Sequence, residues 1–163
     1  MRIGNYNQEK KVESGFDPLS DLGDVPYNPM IAYGQSKTAN LWMANEIERR
    51  YAGQGLHRLC IHPGNIQTDG WANMDPAVME KFPPLLSLEP SAAQGSATQV
   101  LAAVGKDYEG VGGFYLDDCG VSQPIPDDAM VGLTGYRPWI YSFEGEKKLW
   151  ADSLEFVGLK DDA

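Results

Sequence analysis

The sequence predicts an α/β protein, in particular the carboxyl-terminal portion of a doubly wound parallel sheet with only two confident strands. Three observations predict it. Helical patterns over 30–51, 91–104 and 142–157 alternate with two short apolar runs, Leu59-Cys60-Ile61 and Gly112-Gly113-Phe114-Tyr115-Leu116. A helix between successive strands is the connection that parallel strands require and hairpins do not. The first run also breaks at Pro63-Gly64, and ligands of open parallel sheets bind beyond the carboxyl ends of strands. A sheet covered on both faces usually has about five strands. Two strands beside three helices and four tryptophans therefore predict one part of a sheet.

Residues 1–29 form an irregular polar lead-in, punctuated by Asp17-Pro18, Gly23-Asp24, Pro26 and Asn28-Pro29. The domain proper is expected over 30–163. From Met30 to Tyr51, Ala39, Met43 and Ile47 recur every fourth residue and Trp42 widens the apolar face, while Glu46, Glu48, Arg49 and Arg50 are expected on the wet side. Gly53 and Gly55 stop this helix, and its last turns are basic, as the macrodipole favours. Leu56–His62 then reads as a buried parallel strand. The loop 65–88 holds Trp71, Met74, Met79 and Phe82 and is long enough to expect some helix and a functional role.

Ser91-Ala92-Ala93-Gln94 has capping-box spacing ahead of Ala97, Val100, Leu101 and Val104, with Gly105 as the stop. After the second strand, 117–141 is broken by Pro and Gly and is expected to wrap the surface in extended form. The last helix starts near Ser142, with Glu144 placed to pair Lys148 and with Leu149, Trp150, Leu154 and Phe156 expected inward; Gly158 ends it.

Composition narrows the function. A hydrophobic content of 42% and a charged content of 22% are those of a globular protein. The net charge of −10 argues against nucleic acid or an anionic membrane as partner. Asp117-Asp118, Asp127-Asp128 and Asp161-Asp162 read as solvated turns rather than cation sites. Cys60 and Cys119 make no disulfide framework, and Cys60 reads as a small core residue. No apolar run reaches the roughly 18 residues of a membrane span, and the first ten residues lack the apolar core of a signal peptide. A cytoplasmic protein is expected. His57 and His62 have no partners at zinc spacing, so no metal is expected, and His62 reads as a hydrogen-bonded strand-end residue.

The chemistry-bearing stretch is Ala32-Tyr33-Gly34-Gln35-Ser36-Lys37-Thr38-Ala39-Asn40. On a helix, Tyr33, Ser36, Lys37 and Asn40 share one face. A phenol, with a pKa of about 10, exchanges protons poorly near neutrality. An adjacent ammonium favours phenolate and brings such a group within range of general acid–base work. Tyr-x-x-x-Lys alone is weak, since roughly 0.4 chance matches are expected in a chain of this composition, and Tyr6–Lys10 is one such decoy. Context separates the two. Tyr33 opens an amphipathic helix that leads into a strand ending His62-Pro63-Gly64-Asn65-Ile66-Gln67-Thr68.

From about Tyr27 to Gly158 the chain resembles the short-chain dehydrogenases/reductases, in particular the retinol-dehydrogenase-like and WW-domain-oxidoreductase-like branch in its fungal form. The resemblance rests on the Tyr33–Asn40 stretch, on His62-Pro63-Gly64-x-Ile66-x-Thr68, on Gly112-Gly113-Phe114-Tyr115-Leu116-Asp117-Asp118-Cys119 and on Glu146-Lys147-Lys148-Leu149-Trp150, in that order. It implies a Rossmann-type sheet and an NAD(P)-dependent oxidoreductase that interconverts a small apolar alcohol and a carbonyl, NADP being somewhat favoured in this branch. By the same resemblance Tyr33 is general acid/base, Lys37 lowers its pKa and holds the nicotinamide ribose, and Pro63, Gly64, Ile66 and Thr68 contact the cofactor. Trp71, Met74, Met79 and Phe82 fall where the family has its variable lid, with a helix packed on the core as the alternative. Trp42 and Trp150 read as core or subunit contacts.

The chain also departs from the pattern. No Gly-x-x-x-Gly-x-Gly turn, Asn-Ala-Gly stretch or Val-Ser-Ser strand precedes Tyr33, and Ser14 and Ser20 are the only candidates for the family's serine. An amino-terminally truncated chain with little autonomous activity is expected, self-associating through an exposed helix and sheet edge. The alternative is a non-catalytic remnant that associates with a full-length relative; the partner expected is a second chain, in a homo- or hetero-oligomer.

Overall fold

A computed structural model describes residues 29–66, 76, 91–126 and 134–161. The expected lead-in lies outside these residues except for Pro29, which already opens the first helix, where a missing N–H costs nothing. Helix α1 spans Pro29–Tyr51 and a 3-10 turn, Ala52–Gln54, follows it. Strand β1 is Cys60–His62, helix α2 is Ala92–Val104 and strand β2 is Tyr115–Asp117. Strand β3 is Gly120–Val121, and helix α3 is Phe143–Val157.

The three strands form one mixed sheet in the order β1-β2-β3. β1 and β2 are parallel, with Cys60 opposite Tyr115, Ile61 opposite Leu116 and His62 opposite Asp117. This is the α/β arrangement expected, a partial Rossmann-like sheet, with α2 as the crossover. The capping box of α2 is complete: Ser91 Oγ accepts from Gln94 N–H at 3.2 Å and Gln94 Oε1 accepts from Ser91 N–H at 2.8 Å.

Strand β3 adds to the two strands expected, and it turns the chain back on β2. Asp118 and Cys119 take φ of 45° and 57°, giving a two-residue turn whose twist suits an antiparallel hairpin. Asp-Cys is not the Asn-Gly pair that announces such a turn, so the sequence pattern conceals it. Asp117 is buried rather than solvated. Its Oδ2 accepts from Ser122 Oγ at 2.7 Å and from Gly135 N–H at 2.5 Å. Tyr136 then lies beside Pro124, with Tyr136 N–H donating to Gln123 O and Ile125 N–H to Tyr136 O, both at 2.8 Å. The described part of 117–141 is thus folded into the body of the protein, where a surface wrap was expected.

The core joins Leu41 and Trp42 of α1, Tyr115 of β2, Ile140 and, on α3, Leu149. Trp42 is 1% exposed and its Nε1–H donates to Ile140 O at 3.0 Å, so burial leaves no polar atom of the ring unmatched. α3 comes close because residue 145 is glycine: a methyl there would sit 2.5 Å from Cη2 of the Trp42 ring.

Two side-chain expectations are overturned. Glu46 is buried rather than wet, and so is Glu146 of α3. Glu46 pairs with Arg49 and Arg50, Glu146 accepts from Arg49 and from Asn45 Nδ2, and Arg50 reaches on to Asp161. Glu46 is paired within its own helix, at i+3 and i+4, whereas the countercharge of Glu146 comes from the neighbouring helix, which a single-helix pattern cannot anticipate. Phe156, expected inward, is 92% exposed: no described element covers this end of α3. Leu149 is buried and Trp150 half-buried, the latter against Tyr51 and under Arg50. Lys148 bonds Asp152, one turn further along the helix.

Replacing Gly145 by alanine should test the Trp42 contact. Overpacking against a ring held by its own hydrogen bond costs about 2–3 kcal/mol, and the better helix propensity of alanine returns about 1 kcal/mol. A net loss of about 1–2 kcal/mol is expected in urea unfolding. An unchanged midpoint would show that the ring yields.

Candidate active site

The carboxyl end of β1 and the first half of α1 enclose a cleft of about 300 Å³. Helical spacing brings Tyr33, Lys37 and Asn40 to its mouth, since residues three and four apart share a face. The Lys37 ammonium lies 5.1 Å from the centroid of the Tyr33 ring, and both side chains are exposed. Ser36, on the same turn, donates from its hydroxyl to Tyr33 O at 2.6 Å.

Pro63 and Gly64 form the opposite lip. Gly64 has φ of 93°, a conformation that side chains disfavour, and its N–H donates to His62 Nδ1 at 2.9 Å. His62 is buried and does sit as a hydrogen-bonded strand-end residue, its Nδ1 acting as acceptor. Ile66 closes the loop against α2, where only glycine fits: a Cβ at residue 95 would overlap its side chain. The turn is therefore held at both ends, by His62 and by α2.

Of the site residues expected from sequence, Tyr33, Lys37, Pro63 and Gly64 line this one cleft. Ile66 sits one step away against Gly95. Thr68, the lid residues Trp71, Met74, Met79 and Phe82, and the serines Ser14 and Ser20 lie outside the described residues. Sequence reasoning missed the far wall, which Tyr136, Arg137 and Ile140 build. Their only signal was two aromatics around a lone arginine, with no period to mark them. Cys60 also faces the cleft, and burial pushes its thiol above the ordinary cysteine range. Among the described residues, no three His, Cys, Asp or Glu side chains converge as a metal site would require. No described helix is long and apolar enough to cross a membrane.

The residues present suit the nicotinamide-ribose end of a dinucleotide. They offer an ammonium and a phenol at one lip, a glycine that lets backbone approach closely at the other, and largely apolar walls. No described strand precedes α1, so the described residues contain no Gly-rich strand-to-helix turn for a pyrophosphate.

Fold and cleft define an α/β protein with a cleft at the carboxyl end of a parallel strand. Comparison with known proteins goes further. The chain is 42% identical over 138 residues to the short-chain dehydrogenase/reductase prx1 of Penicillium roqueforti, covering 83% of this chain and 40% of that protein. It is 40% identical over 158 residues to oxidoreductase calI of Penicillium decumbens, covering 91% and 46%. To the WW domain-containing oxidoreductase of Homo sapiens it is 32% identical over 101 residues, covering 62% and 24%. No family model matches the chain. The chain belongs to the short-chain dehydrogenase/reductase family. It spans less than half the length of these curated relatives.

The two cysteines should separate by reactivity. Cys119 is exposed on its turn, whereas Cys60 is half-buried with a raised pKa. A maleimide at pH 7.5 should modify Cys119 first. Labelling of Cys60 should accelerate about tenfold per pH unit up to its raised pKa, as the thiolate fraction grows. Peptide mass spectrometry reads both rates, and equal rates at pH 7.5 would contradict the half-buried position of Cys60.

Proposed function

We propose that residues 30–163 carry the proton-transfer and nicotinamide-side portion of an NAD(P)-dependent alcohol/carbonyl oxidoreductase, NADP being the favoured form. The observation that carries this reading is that Tyr33 and Lys37, one helical turn apart, line the same cleft as Pro63-Gly64 at the end of β1. Membership in a family of oxidoreductases supports the reaction class.

In this reading the Tyr33 hydroxyl gives its proton to the substrate carbonyl oxygen, or takes one from the alcohol in reverse. Lys37 stabilises negative charge developing on the Tyr33 oxygen and donates to the ribose hydroxyls. Gly64 and the backbone at Ile66 seat the carboxamide edge, and Thr68 adds a hydroxyl contact. Leu41, Ile61 and Ile140 give the inner part of the cleft an apolar lining. The bound nicotinamide supplies the hydride, which side chains cannot.

A second reading, association with a longer relative, draws on the exposed Phe156, Val157 and Leu159. Co-purification with such a relative, without NAD(P)H turnover, would favour it. The catalytic reading is tested in a chimera in which residues 30–158 replace the matching segment of the Penicillium roqueforti relative. Tyr33→Phe should lower kcat by about 10²–10⁴-fold and leave the NAD(P)H Kd within about twofold. Near-normal turnover would remove Tyr33 from the mechanism.

A further inference from the structure

The Pro63-Gly64 turn hangs on an imidazole that can hold it in one protonation state only. His62, the last residue of β1, is 5% exposed and lines the cleft. Gly64 N–H donates to its Nδ1 at 2.9 Å, a bond that spans the turn from the strand end to the glycine with φ of 93°. An imidazole nitrogen accepts only while it carries no hydrogen, so His62 is neutral here with its proton on Nε2. His57 is the opposite case. Its Nδ1 lies 2.9 Å from Glu48 Oε1, a carboxylate partner that accepts, so there the hydrogen sits on Nδ1.

Protonating His62 would put hydrogen on both ring nitrogens, and Nδ1–H would then meet Gly64 N–H donor to donor. The turn has little room to yield locally. Pro63 has a fixed φ, and its carbonyl lies so close to α2 that a Cβ at residue 95 would come within 3.3 Å of it. Either the turn moves as a unit or the proton leaves. The titratable groups around the imidazole come from three sides. Asp117 is in register with His62 on β2, and Cys60 lies two residues back on β1. Tyr33 and Lys37 face the cleft from α1, and Tyr136 and Arg137 face it from the far wall. Asp117 favours the imidazolium, whereas Lys37 and Arg137 oppose it. α2, behind the turn, has no ionisable side chain.

Resting on the reading of this turn as the seat of the nicotinamide, we propose that His62 is a positioning residue. Its neutral imidazole holds Gly64 in the cofactor-accepting conformation, so proton uptake by His62 and nicotinamide binding exclude one another. Affinity for the cofactor is then full above the titration of His62 and is lost as pH falls through it.

The first arm of the test uses the 163-residue chain without cofactor. At about pH 8, long-range ¹H–¹⁵N spectra should show hydrogen on Nε2 of His62 and on Nδ1 of His57. As pH is lowered, the protection of the Gly64 amide against hydrogen exchange should fall with the same midpoint as the His62 ring. These wild-type measurements stand even if a variant fails to fold. His62→Asn sets a carbonyl oxygen where Nδ1 lies and cannot be protonated, so it should keep Gly64 protected at every pH. His62→Gln reaches the Nε2 position instead and should leave Gly64 unprotected.

The second arm uses the Penicillium chimera. At about pH 8, His62→Gln should raise the NADPH Kd roughly 5–100-fold with kcat within about twofold, and His62→Asn should stay within about threefold on both. Below the His62 midpoint the wild-type Kd should rise by up to about tenfold per pH unit relative to His62→Asn, a comparison that removes the cofactor's own titration. Hydrogen on Nδ1 of His62, a Gly64 amide indifferent to the His62 titration, equal behaviour of the Asn and Gln variants, or parallel pH profiles of wild type and His62→Asn would overturn the proposal and leave the oxidoreductase reading standing. A folded chimera that binds no NAD(P)H at any pH, while Gly64 still follows His62, would refute that reading and this proposal with it.

Discussion

The indole of Trp42 is the contact on which the rest of the structure depends. It is the most enclosed large side chain of α1 among the described residues, and it holds two distant parts of the chain at once. Its Nε1–H takes the Ile140 carbonyl, which places the 3-10 turn that carries the far wall of the cleft. Its ring edge meets Gly145, which sets how closely α3 approaches α1. Both constraints act on α1, and α1 carries Tyr33 and Lys37. A shift of this ring would move the mouth and the far wall of the cleft together, because a close-packed core passes displacement on rather than absorbing it.

A polar network continues the same interface toward the ends of α1 and α3. Glu46 and Glu146 are both buried, and Arg49 contacts both. Arg50 adds Asp161 beyond the end of α3. Such pairs add little net stability, since desolvation offsets much of the attraction. Their consequence is directional: a helix pair that slid by one turn would leave a buried carboxylate facing apolar surface. Glu48 plays a comparable part at the entry to the sheet. It accepts from Arg58 N–H at 2.8 Å and pairs with His57 Nδ1 at 2.9 Å, packed where Gly112 has no side chain. The Gly112-Gly113 pair thus lets a helix carboxylate reach the backbone between strands.

Much of the architecture was legible in the sequence because it rests on local rules. Ser91 and Gln94 cap α2 through bonds three residues apart. Gly55, with φ of 81°, ends the turn after α1 in the left-handed region that glycine favours. Tyr33 and Lys37 share a face by helix geometry alone, and Pro63-Gly64 marks the strand end. The failures have one cause. Glu46, Asp117 and Arg137 are ionisable residues, and local pattern assigns such residues to solvent. Asp117 is held by Ser122 just past the hairpin and by Gly135 eighteen residues on, and Arg137 donates to Pro126 of the preceding segment. Glu46 instead pairs with Arg49 and Arg50 of its own helix, and it is its burial, not its pairing, that the local pattern misses. Phe156 errs in the opposite direction, an apolar residue on a helix end that no described element covers.

The sequence by itself determined the elements, the face that Tyr33 and Lys37 share and the motif order that marks the family, because helix period, capping and turn chemistry act over a few residues. Only the tertiary structure decided that Tyr136, Arg137 and Ile140 close the cleft, that β3 folds back on β2, and that two carboxylates lie between helices. Those outcomes join groups up to about a hundred positions apart, such as Asn45 and Glu146. The free energy that selects them comes from packing and paired charge, which no short window of residues contains.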